Sequence, residues 1–202
     1  MCNHCVPDDE QRVESDRGLS RRAVLGAGAA MTATALAGCL GGEGDGEAPA
    51  AVAIGEQDAC DVCGMVISKH PGPNGQVYWR DNEPEEHDPP FRFDSLKQCL
   101  FPHVFEMRDQ GWTAEAIYVT DYSSVEYDVS TSDGTPRISS HTEASSFGPA
   151  RDLYYVVESD VQGAMGPDFV PFSNRDDADS FAAEYGGSVV EFGDVTPALV
   201  GR

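Results

Sequence analysis

Apolar residues recur along this chain with a period of two in some stretches and of three to four in others, and the stretches follow the same order twice. Residues 76–80 are rich in β-branched and aromatic side chains, which predicts a strand, and Phe91-Arg92-Phe93 predicts a second. The spacing then widens. Leu96, Cys99, Leu100, His103, Val104 and Met107 recur at helical intervals, Ser95 and Gln98 fit a capping box, and Gly111 stops the element. Pro102 lies inside that helix and predicts a kink. Residues 116–120 predict a buried return strand, and Val125, Tyr127 and Val129 alternate as another.

The second half repeats this order. Residues 153–157 and 169–172 predict strands, Ser173 caps a helix with Ala178, Phe181, Ala182 and Tyr185 on one face, and Gly186-Gly187 ends it before a last strand at 188–192. Phe93-Asp94-Ser95 before the first helix matches Phe172-Ser173-Asn174 before the second. The expected fold is therefore α+β, two related ββαβ units with mostly antiparallel sheets, at 59–135 and 136–202, each helix covering one sheet face.

The chain before residue 59 has a different character. Ser20-Arg21-Arg22-Ala23-Val24-Leu25 carries a twin arginine, and the Gly/Ala-rich apolar run that follows is short for a membrane span. It ends in Leu36-Ala37-Gly38-Cys39, which resembles a lipobox with Cys39 as the lipid-bearing residue. Residues 1–38 are thus expected to be a twin-arginine lipoprotein signal peptide, and Cys2 and Cys5 are lost with it. Residues 39–58, rich in Gly, Pro, Ala and acid, are expected to be a flexible tether. The location implied is the outer face of the cytoplasmic membrane.

A formal net charge of -22, with Lys69 and Lys97 the only lysines, argues against nucleic acid as a partner, because phosphate binding needs clustered cations. Such self-repulsion is screened by concentrated salt, which points to a halophilic source. The acidic run at 83–88 reads as solvated surface, since nothing matches a calcium-binding loop.

The candidate chemistry lies in sulfur. Cys60-Asp61-Val62-Cys63-Gly64-Met65 sets two thiols and a thioether within one short segment, and soft ligands of this kind select Cu(I), zinc or iron–sulfur centres. If Cys63 and Met65 begin a strand, the period of two puts both sulfurs on one face. In Gln162-Gly163-Ala164-Met165-Gly166-Pro167, Met165 is the one bulky apolar side chain on a tight loop, so its sulfur is also a candidate ligand. Cys99 lies on the apolar face of the first helix and reads as core. His70 is an outlying ligand candidate, while His87, His103 and His141 show no spacing that pairs them with the sulfur motif.

Together these residues resemble the NosL family, lipoprotein copper chaperones that serve assembly of nitrous oxide reductase. The resemblance runs from Cys60 to Thr196 and rests on Cys60 to Met65, Phe93-Asp94, Ile117-Tyr118-Val119-Thr120-Asp121-Tyr122, Met165-Gly166, Pro171-Phe172 and the helix at 178–181. The acidic insertion at 83–90, the polar stretch at 130–146 and Ala164, where the family often has Pro, depart from the pattern. The resemblance implies a fold related to the organomercurial lyase core. It implies Cu(I) binding, with delivery to the nitrous oxide reductase apoprotein or its membrane maturation complex. It places the metal on Cys63, Met65 and Met165, with Cys60 as a fourth sulfur or a thiol that protects the apo site as a disulfide with Cys63. Copper would then bridge the two halves. The rival from another class is an extracytoplasmic thiol–disulfide oxidoreductase using Cys60 and Cys63, although such motifs normally open a helix whose dipole lowers the thiol pKa. No Ser-His-Asp set and no phosphate-cradling glycine loop is visible, so no enzyme activity is expected.

Overall fold

The structure, a computed structural model, describes residues 48–131 and 134–202; the arginine pair, Cys39 and the rest of the leader lie outside the described residues. All five residues of the first strand, β1 (Gly75–Trp79), are buried, so both faces of the sheet around it are covered. β1 pairs antiparallel with β2 (Phe91–Phe93) on one side and β3 (Ala114–Thr120) on the other. Between β2 and β3 comes a helix packed closely on one face: a Cβ on Gly75 would lie 2.2 Å from Leu100 Cδ1, so glycine is needed there.

That helix is not simply kinked at Pro102. It opens with a wide π turn, Leu96–Leu100, and continues as α1 (Phe101–Asp109), with Pro102 in the first turn of α1. Pro102 has no N–H to give and its ring crowds the carbonyl four residues back, so Leu100 and Phe101 instead donate five residues back, to Ser95 and Leu96. Ser95 caps the turn by accepting from the Gln98 N–H, as the sequence suggests.

The alternation at Val125, Tyr127 and Val129 reports burial but not a full strand. Only β4 (Val129–Ser130) pairs, with β5 (Arg137–Ile138), while Val125 and Tyr127 pack on the second apolar cluster without a partner strand. The chain then returns to the first sheet as β6 (Phe147–Pro149), giving the order β2-β1-β3-β6.

The second unit repeats the plan. β7 (Tyr154–Val157) is the central strand, flanked after a short β8 (Gln162–Gly163) and β9 (Gly166–Pro167) by β10 (Val170–Phe172) and, beyond α2 (Arg175–Tyr185), by β11 (Ser188–Glu191). Gly75 at the start of β1 faces Phe93, and Tyr154 at the start of β7 faces Phe172, so the two registers correspond. The cap of α2 is Asn174, which accepts from the Asp176 N–H, rather than Ser173. Asn174 is two residues past Phe172, as Ser95 is past Phe93. The sheets are antiparallel except where β5 meets β8.

Period-two alternation in β7 joins the halves. Tyr155 and Val157 point into a core shared with Leu100, Phe101 and Val104, while Tyr154 and Val156 face the cluster beneath α2. Phe101 sits 5.8 Å from the Tyr155 ring and 5.9 Å from Phe169, so one aromatic group holds both units together.

The far face of the first sheet is covered by a segment that the sequence assigns to the tether. Tyr118 donates to the Pro49 carbonyl at 2.8 Å and Tyr78 to that of Ala50 at 2.9 Å. The Val52 N–H reaches Gln76 Oε1 at 3.1 Å and the Ile54 N–H reaches the Thr142 carbonyl at 2.8 Å, with Ile54 buried. Low hydropathy hid this because side chains of β1 and β3, rather than an apolar patch on the segment, hold it down.

Asp168, 2 % exposed, is a carboxylate inside this framework. Burial raises its pKa from 3.8 to about 7, against the pull of the nearby Ser95 hydroxyl and the N–H groups of Lys97, Phe169 and Leu96. A carboxyl with a raised folded pKa penalises the folded state above about pH 7, and the penalty is relieved as pH falls toward 4. The unfolding free energy of the wild type minus that of Asp168→Asn should therefore rise by about 2–3 kcal/mol between pH 8 and pH 5. Urea denaturation of both proteins at the two pH values checks this; a pH-independent difference contradicts it.

Candidate metal centre

Cys60 to Met65 form a closed turn rather than the start of a strand. Ala59 and Val66 bridge antiparallel, the Cys60 N–H donates to the Met65 carbonyl at 2.9 Å, and the Gly64 N–H donates to the Cys60 carbonyl at 2.8 Å. Gly64 takes φ +74°, a left-handed conformation that glycine adopts without a steric cost. Cys63 and Met65 are therefore not related by strand periodicity, and the turn alone aims each sulfur.

Asp61 hooks this turn onto the open edge of β2. Its N–H donates to the Arg92 carbonyl at 2.9 Å and its carboxylate accepts from the Arg92 N–H, two residues before Asp94. His87, from the acidic insertion, reaches the other Asp61 oxygen at 3.0 Å. A cleft of about 890 Å³ lies beside the turn, lined on one side by Cys60, Val62 and Cys63 and on the other by Glu83, Glu85 and Glu86.

Four ligand atoms converge: the sulfurs of Cys60, Cys63 and Cys99 and a carboxylate oxygen of Asp94 all lie within 4.8 Å of one another. The Cys63 thiol is 3.4 Å from both Asp94 oxygens, and the Cys99 and Met165 sulfurs lie 3.4 Å apart. Cys60 is 2 % exposed, Cys99 1 % and Asp94 0 %, Cys63 is half-buried, and Met165 is 41 % exposed. The arrangement is a sulfur-lined well with a thioether at its mouth.

Of the candidates drawn from sequence, Cys60, Cys63 and Met165 come together here. Met65 is half-buried and supplies its carbonyl to the turn; among the described residues no thiol hydrogen-bonds its sulfur. Cys99, read as core, is buried in the first apolar cluster, and its sulfur also lies between the turn and Met165. Core packing and ligation both place a cysteine on the apolar face of a helix, so periodicity does not separate them. Cys99 lies within the π turn, Leu96–Leu100. Asp94 was also missed as a candidate ligand; like Ser173 it directly follows an edge strand, and it is fully buried there beside the Cys63 thiol. The histidines at 70, 87, 103 and 141 stand outside the group that converges.

The thiols differ in acidity. A hydrogen bond from the Cys99 thiol lowers the Cys60 pKa from 9.0 to about 7 against the effect of burial, helped by backbone N–H groups of Cys63, Asp94 and Val62. Burial pushes Cys63 up to about 11, opposed by the Met65 N–H and reinforced by Cys60 and Asp94. Cys99 is also raised, first by its bond to Cys60 and then by burial. The hydrogen bond between Cys60 and Cys99 thus favours one thiolate within that pair, while burial holds Cys63 in its thiol form. Three thiols with a carboxylate form a set that zinc accepts, and the thioether shifts the preference toward Cu(I).

The model of the NosL family matches residues 51–200. The chain is 28% identical to the copper-binding lipoprotein NosL of Stutzerimonas stutzeri, over 87% of this chain and 83% of that protein. It is 30% identical to the protein of the same description from Achromobacter cycloclastes, over 68% of this chain and 63% of the relative. The crystal structure of the copper chaperone NosL from Shewanella denitrificans is similar with a TM-score of 0.55 at 28% identity, covering 73% of this chain and 96% of that one. Since the family match takes in both repeated units and every group of the sulfur well, the chain belongs to the NosL family.

Proposed function

We propose that this protein is an exported, lipid-anchored Cu(I) carrier that supplies copper for maturation of nitrous oxide reductase. The observation that carries the reading is the convergence of Cys60, Cys63 and Cys99 with Asp94 beneath the Met165 thioether. Cu(I) would rest on the thiolates, with Met165 as the outer ligand and Met65, on the same turn, as a further candidate thioether. Loading releases thiol protons, since only thiolates ligate. Unloading starts at the rim: Met165 is exposed and neutral, so a sulfur on the receiving protein displaces it before the buried thiolates let go. The receivers are the reductase apoprotein or its membrane maturation complex.

The rival oxidoreductase reading needs a low-pKa thiol that a substrate reaches. Here Cys60 and Cys99 are 2 % and 1 % exposed, and burial raises the pKa of the more accessible Cys63, which favours metal ligands over a nucleophile.

An anaerobic titration of the purified full chain tests the proposal. One Cu(I) per chain should survive competition from a Cu(I) chelator, and an equal concentration of Zn(II) should not displace it. Zn(II) binding that Cu(I) fails to displace would overturn it.

A further inference from the structure

Resting on the reading of Met165 as a copper ligand, we infer that Asp168 is a positioning residue, whose carboxylate fastens the hairpin that carries Met165 to the turn that carries Cys99. The β8–β9 hairpin needs such support. It has two residues per strand and only two cross-strand pairs, so its own ladder is a weak restraint on a side chain at its tip. Asp168 follows it directly. One carboxylate oxygen, Oδ1, accepts from the Lys97 N–H at 2.8 Å and from the Phe169 N–H at 2.8 Å, so a single atom joins the Met165 loop to a residue two before Cys99.

Two further contacts act along the same seam. Gln98, next to Cys99, donates from Nε2 to the Pro167 carbonyl at 2.8 Å, and its own side chain is held by the Ser95 hydroxyl. The Lys97 ammonium lies 5.8 Å from the centre of the Phe169 ring. Residues 97 and 98 thus grip residues 167 to 169, and the pair that matters for copper, Cys99 and Met165, lies just beyond each end of the grip. Gly163 makes room for it. A Cβ there would lie 2.8 Å from Asp168 Oδ2 and 2.8 Å from the Gly72 carbonyl, so a side chain would drive the hairpin off the carboxylate.

Oδ1 alone makes the two backbone bonds, and Oδ2 has no hydrogen-bond partner among the described residues. Asparagine keeps an Oδ1 acceptor, so it should keep the position of Met165, whereas alanine removes it.

The test compares Met165→Ala, Asp168→Ala, Asp168→Asn and the double alanine variant in the full chain. Cu(I) affinity is measured by chelator competition and the sulfur shell by copper X-ray absorption. Met165→Ala and Asp168→Ala should each lose about ten- to a hundredfold in affinity together with the thioether scattering, on the scale of changes around a ligand sphere. The double variant should lose no more than either single one, and Asp168→Asn should bind as the wild type does. Additive losses, an Asp168→Ala protein with wild-type affinity, or an asparagine variant as weak as alanine would each overturn the inference. If Asp168→Ala does not fold, Gln98→Ala replaces it: a smaller loss of affinity and of thioether scattering is expected, and wild-type values refute the grip. Should Met165→Ala itself bind copper normally, the reading of Met165 as ligand fails and the inference goes with it. A defect in Met165→Ala without one in Asp168→Ala removes the inference alone.

Discussion

Cys99→Ser should weaken Cu(I) binding more than about a hundredfold, because loss of an anionic thiolate exceeds the ten- to hundredfold expected for the neutral Met165 thioether or for groups that merely orient a ligand. Serine is close in size but offers a hard oxygen where the site offers soft sulfur. It can still donate to Cys60, so the loss reports ligation rather than a missing hydrogen bond. Cys60→Ser and Cys63→Ser should be comparably weak, as their sulfurs share the same well. The apo protein should lose little: a buried hydroxyl left without a partner costs about 1–3 kcal/mol at most. Chelator competition and thermal melting on the same three proteins separate the outcomes. A Cys99→Ser protein that melts early but binds copper normally would make Cys99 core after all.

Cys39→Ser should move the exported protein from the membrane fraction to the soluble one. On the lipid-anchor reading, retention rests on lipid attached at Cys39, at about 0.8 kcal/mol per buried methylene. Changing Arg21 and Arg22 to Lys should instead hold the precursor in the cytoplasm. Fractionation before and after a carbonate wash reads both, and a Cys39→Ser protein still on membranes refutes the lipid anchor.

What could be read from sequence divides along physical lines. The repeated order of strands and helix was legible because burial imposes periods of two and of 3.6 wherever a face meets a core, and β1, β2, β3, β7, β10, β11 and α2 fall close to their expected places. Tyr127 was legible as buried but not as unpaired, since alternation reports the face and not the neighbour. Cys63 and Met165 declared themselves by sitting among glycines, where a large side chain has little packing to do. Cys99 and Asp94 did not, because a helix face and a strand end give candidate ligands the same surroundings as core residues. Asp168 was hidden for another reason: its role depends on backbone N–H groups at Lys97 and Phe169, and an acceptor of backbone bonds leaves no mark in composition or spacing.

The segment pinned at Pro49 to Ile54 shortens the leash. Were lipid carried on Cys39, the ten peptide steps from there to the pinned Pro49 would reach about 35 Å at most. On the proposed reading the cargo would stay in a thin layer over the bilayer, where so short a link would give an effective concentration in the millimolar range toward a receiver in the same membrane. Encounter becomes lateral diffusion among neighbours, and a carrier freed from its anchor would need an affinity for the receiver orders of magnitude higher to meet it as often.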